Sequence, residues 1–367
     1  MSSLLKDIYS LSFYEKFSES LSQTVPSFNR QQFITQIFTP DFNDKELKDR
    51  MRHTSLVLHT FFPADYGKTV DLIENVIIRL RRDNWKDDRL EFMFLPDYIE
   101  IYGIDHYEVS IKVIEFITQF VSCEYAVRPF IIKYGEKMLN QMARWSLHKN
   151  HKVRRLASEG SRPRLPWAMG IPELKINPGP IIPILENLKD DPSESVRRSV
   201  SNNLNDIAKD HPELVIGIAR KWKGLSKETD AVIKHGCRTL LKGGHTEILQ
   251  HYGLDGKNIS LTAFKIISSN IKIGESLEFN LSVINRHTST QLVRLEYAVY
   301  YKRSNGQFGK KVFKISERMY EPGERADVHR KQRFILITTR KLYPGKHRLS
   351  IIINGQEKGT KYFVLTG

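Results

Sequence analysis

The 367-residue sequence predicts two domains, an all-α repeat solenoid over residues 1–255 and an all-β sandwich over residues 256–367. Three observations carry that division. A helix-start pattern with twin arginines recurs along the first part, apolar residues there fall at helical spacing, and in the second part they alternate as in strands.

The recurrence is Val153-Arg154-Arg155-Leu156-Ala157-Ser158-Glu159, which returns 43 residues later as Val196-Arg197-Arg198-Ser199-Val200-Ser201-Asn202. A weaker third copy begins near Ile233-Lys234-His235-Gly236-Cys237-Arg238. A period near 40 residues marks a helical solenoid of HEAT or armadillo type, in which stacked repeats bury one another's faces. Two arginines per step would form a ladder of positive charge suited to a phosphate backbone.

Along the helical part, the segment from Lys68 to Ile78 places apolar residues at helical spacing. Pro63-Ala64-Asp65, Leu95-Pro96-Asp97 and Asp191-Pro192-Ser193 are expected to break the helices. Capping side chains, proline and an early acidic residue at Asp191-Pro192-Ser193-Glu194 favour a helix start. The helix that follows would bury Val196, Val200, Leu204 and Ile207 on one stripe.

The pattern changes after His251 to Gly256. Leu277–Val283, Val293–Tyr301, Phe334–Thr339 and His347–Ile353 alternate with period two and are rich in β-branched and aromatic residues. Ser304-Asn305-Gly306, Pro322-Gly323, Pro344-Gly345 and Asn354-Gly355 supply turn chemistry between them. About seven strands in this length fit an immunoglobulin-like sandwich, without the Cys…Trp…Cys core of antibody domains.

Composition narrows the function classes. Two cysteines, Cys123 and Cys237, cannot build a disulfide framework, and no Cys/His pairs have zinc-ligand spacing. No cofactor or metal is expected. The first residues lack a signal-peptide layout, and no apolar run is long enough to span a membrane, so the expected setting is soluble and cytoplasmic. Net charge is +15, distributed as −5 over residues 1–120, +7 over 121–255 and +13 over 256–367. That rise toward the C-terminus points to a polyanionic partner.

At 100° per residue, Arg198, Asn202 and Asp206 share one polar edge of their helix, and Arg155 and Glu159 are neighbours one repeat earlier. Such pairs are ordinarily surface salt bridges. Their surroundings are less ordinary: Ser161-Arg162-Pro163-Arg164-Leu165-Pro166-Trp167 is a rigid, basic connection ending in an indole. Upstream, Glu124-Tyr125-Ala126-Val127-Arg128-Pro129-Phe130 again combines carboxylate, aromatic ring and arginine. Carboxylates, rings and arginines on adjacent repeats suit a reaction that develops positive charge beside a phosphate chain.

At these residues the chain resembles the AlkC family of bacterial alkylpurine DNA glycosylases, relatives of AlkD in the HEAT-like glycosylase superfamily. The resemblance extends over nearly the whole chain. Its specific parts are Glu46–His53, Leu95-Pro96-Asp97-Tyr98, Glu124–Phe130 and the block from Val153 to Ala168. Tyr125 stands where many members carry phenylalanine. The resemblance implies release of cationic bases, chiefly 3-methyladenine and 3-methylcytosine, from double-stranded DNA by a monomeric, monofunctional hydrolase that does without conventional base flipping.

It also implies the division of labour. Asp206 and Glu159 would stabilise an oxocarbenium-like sugar and orient water, with Glu124 in support. Trp167 and Tyr125 would pack against deoxyribose or lesion. Arg155, Arg162, Arg164 and Arg198 would hold phosphates. The +13 charge of the C-terminal domain fits the same scheme, and its basic loops, such as Arg340-Lys341 and Lys346-His347-Arg348, are expected to contact DNA. The rival readings are a non-catalytic HEAT-repeat adaptor that binds protein or damaged DNA, and an RNA-binding scaffold. Neither gives the carboxylates a task.

Overall fold

The structure, a computed structural model, describes residues 4–254, 256–336 and 341–367. Among them are sixteen α-helices followed by eight β-strands. The chain opens with α1 (Leu11–Ser22), α2 (Arg30–Ile37), α3 (Leu47–His59) and α4 (Tyr66–Arg82). Next come α5 (Phe94–Tyr102), α6 (Tyr107–Ile117), α7 (Val127–Tyr134) and α8 (Glu136–Trp145). Then follow α9 (His151–Gly160), α10 (Pro172–Ile176), α11 (Ile182–Leu188) and α12 (Glu194–Ile207). The series ends with α13 (Pro212–Trp222), α14 (Lys227–Gly236), α15 (Arg238–Gly243) and α16 (Thr246–His251).

Two compact units divide the chain, one built from Met1–His211 and Trp222–Gly236, the other from Pro212–Lys221 and Cys237–Gly367. The change of pattern near residue 256 is therefore a change of secondary structure, since the last helices belong with the strands. Asp255, the last residue of the expected helical domain, lies outside the described residues. No helix among the described residues is long and apolar enough to cross a membrane.

The twin-arginine copies both begin helices. Asn150 caps α9 by accepting from the Lys152 amide at 2.8 Å, and Ser193 precedes α12 at the equivalent position. Val196, Val200, Leu204 and Ile207 are buried as one stripe, and α12 packs against both α9 and α14. The third copy differs: Ile233–Gly236 ends α14 instead of starting a helix, and α15 begins at Arg238. Leu95-Pro96-Asp97 is not a break either. It lies in the first turn of α5, where proline costs no intrahelical hydrogen bond.

The expected ladder of two arginines per repeat does not form: the first arginine of each pair is consumed by the scaffold, and of the second ones Arg155 is paired with Glu124 while Arg198 is 70% exposed. Arg154 forks onto the Asp191 carboxylate at 2.5 and 3.0 Å and donates to the carbonyls of His148 and Lys149. Arg197 donates to the carbonyls of Asp191 and Pro192 at 2.6 and 3.0 Å. Both arginines thus pin the loop that starts α12.

In the second unit a three-stranded sheet has the order β1 (Ile259–Ile266), β3 (Ser276–Asn285), β6 (Arg325–Arg333). A five-stranded sheet has the order β2 (Asn270–Lys272), β8 (Gln356–Thr366), β7 (Gly345–Ile353), β4 (Gln291–Lys302), β5 (Phe308–Tyr320). Alternate residues of β3, β4 and β7 face each other across the core: Leu277, Phe279 and Leu281 against Leu295, Tyr297, Leu349 and Ile351.

Asn354-Gly355 joins β7 to β8 with both residues at positive φ, 45° and 75°, as a two-residue primed turn requires. A Cβ on Gly355 would stand 2.9 Å from Gly244 Cα, so the turn also needs glycine for space. Pro322-Gly323 connects strands of different sheets. Of the expected strand Phe334–Thr339, residues 334–336 are not in a strand and 337–339 lie outside the described residues; Phe334 is instead a buried core ring.

Candidate active site

Packing of α9 against α12, together with the connection from Ser161 to Ile171, places the candidate residues. Gly160, at the end of α9, allows the close approach of α7 and α8 on its other side. A Cβ there would lie 2.5 Å from Val127 Cγ2 and 2.9 Å from Met142 Cε. Ser199 donates to the Ser158 hydroxyl at 3.0 Å, and Asn203 to the Ser158 carbonyl at 2.8 Å, so a buried polar seam locks the two helices in register.

At the end of that seam Glu159 and Asp206 are brought together through Arg162. Arg162 Nη1 donates to Glu159 Oε1 at 2.5 Å, Nε to Asp206 Oδ2 at 2.8 Å, and Nη2 lies 2.8 Å from the same oxygen. All three side chains are buried, at 8% exposure or less. Burial opposes the charge of Arg162, but the carboxylates of Glu159 and Asp206 outweigh it and hold its pKa above the usual guanidinium value. Arg162 is accordingly not an exposed phosphate holder. Its fork is taken up by the two carboxylates. Lys209 covers the other Asp206 oxygen, Oδ1, at 2.8 Å and is itself 39% exposed.

A second carboxylate–arginine pair stands beside the first. Arg155 turns away from its helical neighbour Glu159 and donates to Glu124 Oε2 at 2.7 Å and to Ser122 Oγ at 3.2 Å. Burial opposes this arginine's charge as well, and Glu124 and Glu159 together outweigh it. Glu124, Tyr125, Arg155, Lys152 and His151 help line a cavity of about 370 Å³.

Tyr125 also lines a second cavity of about 270 Å³, with Lys48, Asp97, Ala168 and Met169. The Lys48 ammonium lies 5.2 Å from the centre of the Tyr125 ring and donates to the Trp167 carbonyl. Burial, then Glu124 and Glu159, raise the Tyr125 phenol.

Trp167 is 60% exposed and adopts φ 66°, the left-handed region that bulky residues seldom occupy. Such backbone costs on the order of 1–3 kcal/mol and persists where the surroundings over-determine it. Here Trp167 is the second central residue of a turn closed by the Ala168 amide on the Leu165 carbonyl at 3.2 Å, and Lys48 donates to its carbonyl, leaving the indole presented to solvent. Arg164 forks onto Asp210, with Nη2–Oδ1 at 2.8 Å. Hydrogen bonding to that carboxylate raises its pKa. Arg198 is 70% exposed and pairs only loosely along its helix, with Glu194 at 2.8 Å.

Sequence reasoning missed Arg128 as an organiser of the site. Fully buried, it donates to the carbonyls of Met169 at 2.6 Å, Arg162 at 2.8 Å and Gly160 at 3.0 Å, tying down both ends of the connection that bears Arg162 and Trp167. Burial, then the neighbouring Arg162, pull its pKa down to about 10, still protonated at neutral pH. Replacing it by methionine would leave three carbonyls, two of them buried, without their donor. Arg128→Met is expected to lose about 3 kcal/mol or more in urea unfolding, and a stability within 1 kcal/mol of wild type would refute the clamp.

The expected contacts of the C-terminal domain fall differently. Arg340 lies outside the described residues. Lys341 is exposed, whereas Lys346 and Arg348 stand on strand β7 and not on a loop, with His347 between them buried in the core. Burial lowers the His347 pKa. The alternation of β7 dictates the split, sending 346 and 348 to one face and 347 to the other.

Comparison with known proteins adds three findings. Residues 260–367 match the family described as "Uncharacterised protein YhaZ, C-terminal Ig-like domain". The protein "Uncharacterized protein YhaZ" of Bacillus subtilis (strain 168) is 41% identical over 360 residues, covering 98% of this chain and 98% of its own length. The solved structure of Pseudomonas fluorescens alkylpurine DNA glycosylase AlkC bound to DNA containing an abasic site analog is similar at a TM-score of 0.93 and 32% identity, over 100% of both chains.

Proposed function

The chain belongs to the family of the alkylpurine DNA glycosylase AlkC and of YhaZ, and from that premise we propose that it is a DNA glycosylase excising cationic alkylated bases. The observation that carries this reading is the buried Glu159–Arg162–Asp206 cluster at the end of the α9–α12 seam, beside the exposed Trp167. The substrates are N3-methylated adenine and cytosine in duplex DNA, and the setting is the cytoplasm.

A base methylated at N3 carries positive charge and leaves without being protonated. As the C1′–N bond breaks, its electron pair neutralises the departing base and the positive charge passes to the sugar. Carboxylates fixed in place stabilise that charge without reorganising during the reaction. Asp206 and Glu159 take this role and Glu124 adds a third negative charge. A water molecule then attacks C1′ and gives its proton to Asp206, leaving an abasic sugar. Arg162 keeps two mutually repelling carboxylates side by side, which is a positioning task.

Lys209 covers Asp206 Oδ1. Moving this exposed ammonium to a backbone phosphate would free that oxygen for water. Trp167 and Tyr125 pack against the deoxyribose or lesion, and Arg155, Arg164 and Arg198 contribute affinity without base choice. In this reading the lesion stays in the duplex, since the carboxylates act on the sugar. The second unit adds basic residues such as Lys341 to the DNA contacts.

Incubation with N3-methylated duplex DNA is expected to liberate 3-methyladenine and 3-methylcytosine as free bases, seen by chromatography, and to leave intact abasic strands until alkali is added. Binding of such DNA with no base released would favour the adaptor reading.

A further inference from the structure

Two of the stretches that carry the family resemblance, Glu46–His53 and Leu95-Pro96-Asp97-Tyr98, have no task in the chemistry above. The structure brings them together. Lys48 and Arg52 from α3, with Asp97 and Glu100 from α5, line the cavity of about 270 Å³ that Tyr125 and Met169 also line.

Most polar side chains of these stretches serve the scaffold. Arg50 donates to the carbonyls of Lys6, Asn43 and Lys45 at 3.0, 3.3 and 3.1 Å. Asp97 accepts from Ser55 at 2.8 Å, and Arg52 bridges Asp97 at 2.8 Å and Glu100 at 3.1 Å. Lys48 stands one turn before Arg52 on the same face of α3. Arg52 occupies both carboxylates, and among the described residues Lys48 forms no ion pair.

The Lys48 ammonium turns to the candidate active site instead. It donates to the Trp167 carbonyl, across 119 residues of sequence, and lies 5.2 Å from the centre of the Tyr125 ring. These are the two aromatic residues that the glycosylase reading sets against the deoxyribose or lesion. Arg128 holds the Met169 carbonyl at 2.6 Å, so the turn is fastened from α7 at one residue and from α3 at another. Arg128 fixes the connection as a whole. Lys48 adds what that clamp lacks, a hold on the residue at φ 66° together with a contact on the second ring.

We propose that Lys48 is a positioning residue for base excision, tying the Trp167 turn to the Tyr125 ring and so setting both rings where they meet the substrate. The proposal rests on the glycosylase reading. Its effect falls on rate more than on affinity, because a displacement of about 1 Å at a reacting site can cost about 10²-fold.

The test compares wild type, Lys48→Met and Lys48→Arg by single-turnover release of 3-methyladenine at saturating protein and by fluorine NMR of the full chain labelled with fluorotryptophan. Trp85, Trp145 and Trp222 are buried and Trp167 is exposed, so the Trp167 resonance stands apart and is assigned with Trp167→Phe. Lys48→Met should slow release about tenfold to a hundredfold and shift the Trp167 resonance, with the other three unmoved. Affinity for the duplex and its salt dependence should stay as in wild type. Lys48→Arg should restore both rate and resonance, since a guanidinium also donates to a carbonyl and packs over a ring.

Three results would each overturn the proposal. One is wild-type release by Lys48→Met, with or without a moved resonance. Another is slower release with the Trp167 resonance unmoved. The third is a weaker complex whose salt dependence has dropped by about one charge, which would make Lys48 a phosphate contact. Absence of base release in wild type is a different failure, that of the glycosylase reading, and is seen without any variant.

Discussion

Asp206→Asn should abolish most of the base release while leaving DNA binding in place. Removing a preorganised electrostatic stabiliser from a buried site typically costs about 10²–10³ in rate, and Asp206 carries two tasks, stabilising the sugar and accepting the proton of water. Asparagine is nearly the same size and still offers an oxygen to Arg162, so the fold should survive. Affinity for DNA should be unchanged or slightly higher, because one negative charge near the phosphate track is gone. Single-turnover release and anisotropy on the same lesion-bearing duplex separate the two. A rate loss that only tracks a loss of affinity would make Asp206 a structural residue.

Arg162→Met should be the most damaging change to stability at the site. Methionine fills similar volume but leaves Glu159 and Asp206 buried side by side, with Lys209 still bonded to Asp206 and, among the described residues, no ion-pair partner left on Glu159. Removing one partner of a buried ion pair costs about 3–5 kcal/mol, because the remaining charge is left without compensation. Arg162→Lys should recover part of this, since an ammonium supplies charge but lacks the fork that reaches both carboxylates. Urea unfolding followed by tryptophan fluorescence measures the order wild type, Lys, Met. A methionine variant as stable as wild type would mean that the carboxylates do not depend on the arginine.

The stripe from Val196 to Ile207 was legible because α12 buries one side against neighbouring helices, and period alone encodes that. Pro96 misled because proline breaks a helix interior but suits a first turn, and only the position of the helix start distinguishes the two. Phe334 reads as part of a strand by its β-rich neighbours, yet it is a core ring outside any strand. At the site, the Glu159–Arg162 pair lies three residues apart and could be read from spacing. Asp206 joins it across 44 residues through helix stacking, which no local pattern encodes. Arg128 was in view within Glu124–Phe130, but its task is to donate to distant backbone carbonyls, and carbonyls leave no trace in side-chain patterns.

The account rests on a leaving group that already carries its charge, so the most direct test compares lesions and not variants. Single-turnover release is measured from matched duplexes bearing one 3-methyladenine or one hypoxanthine, a neutral base in the same setting. Fast release of 3-methyladenine with hypoxanthine at its spontaneous rate is the predicted result. Comparable enzymatic release of both bases would require a proton donor and would contradict catalysis by Glu159 and Asp206 as fixed negative charges.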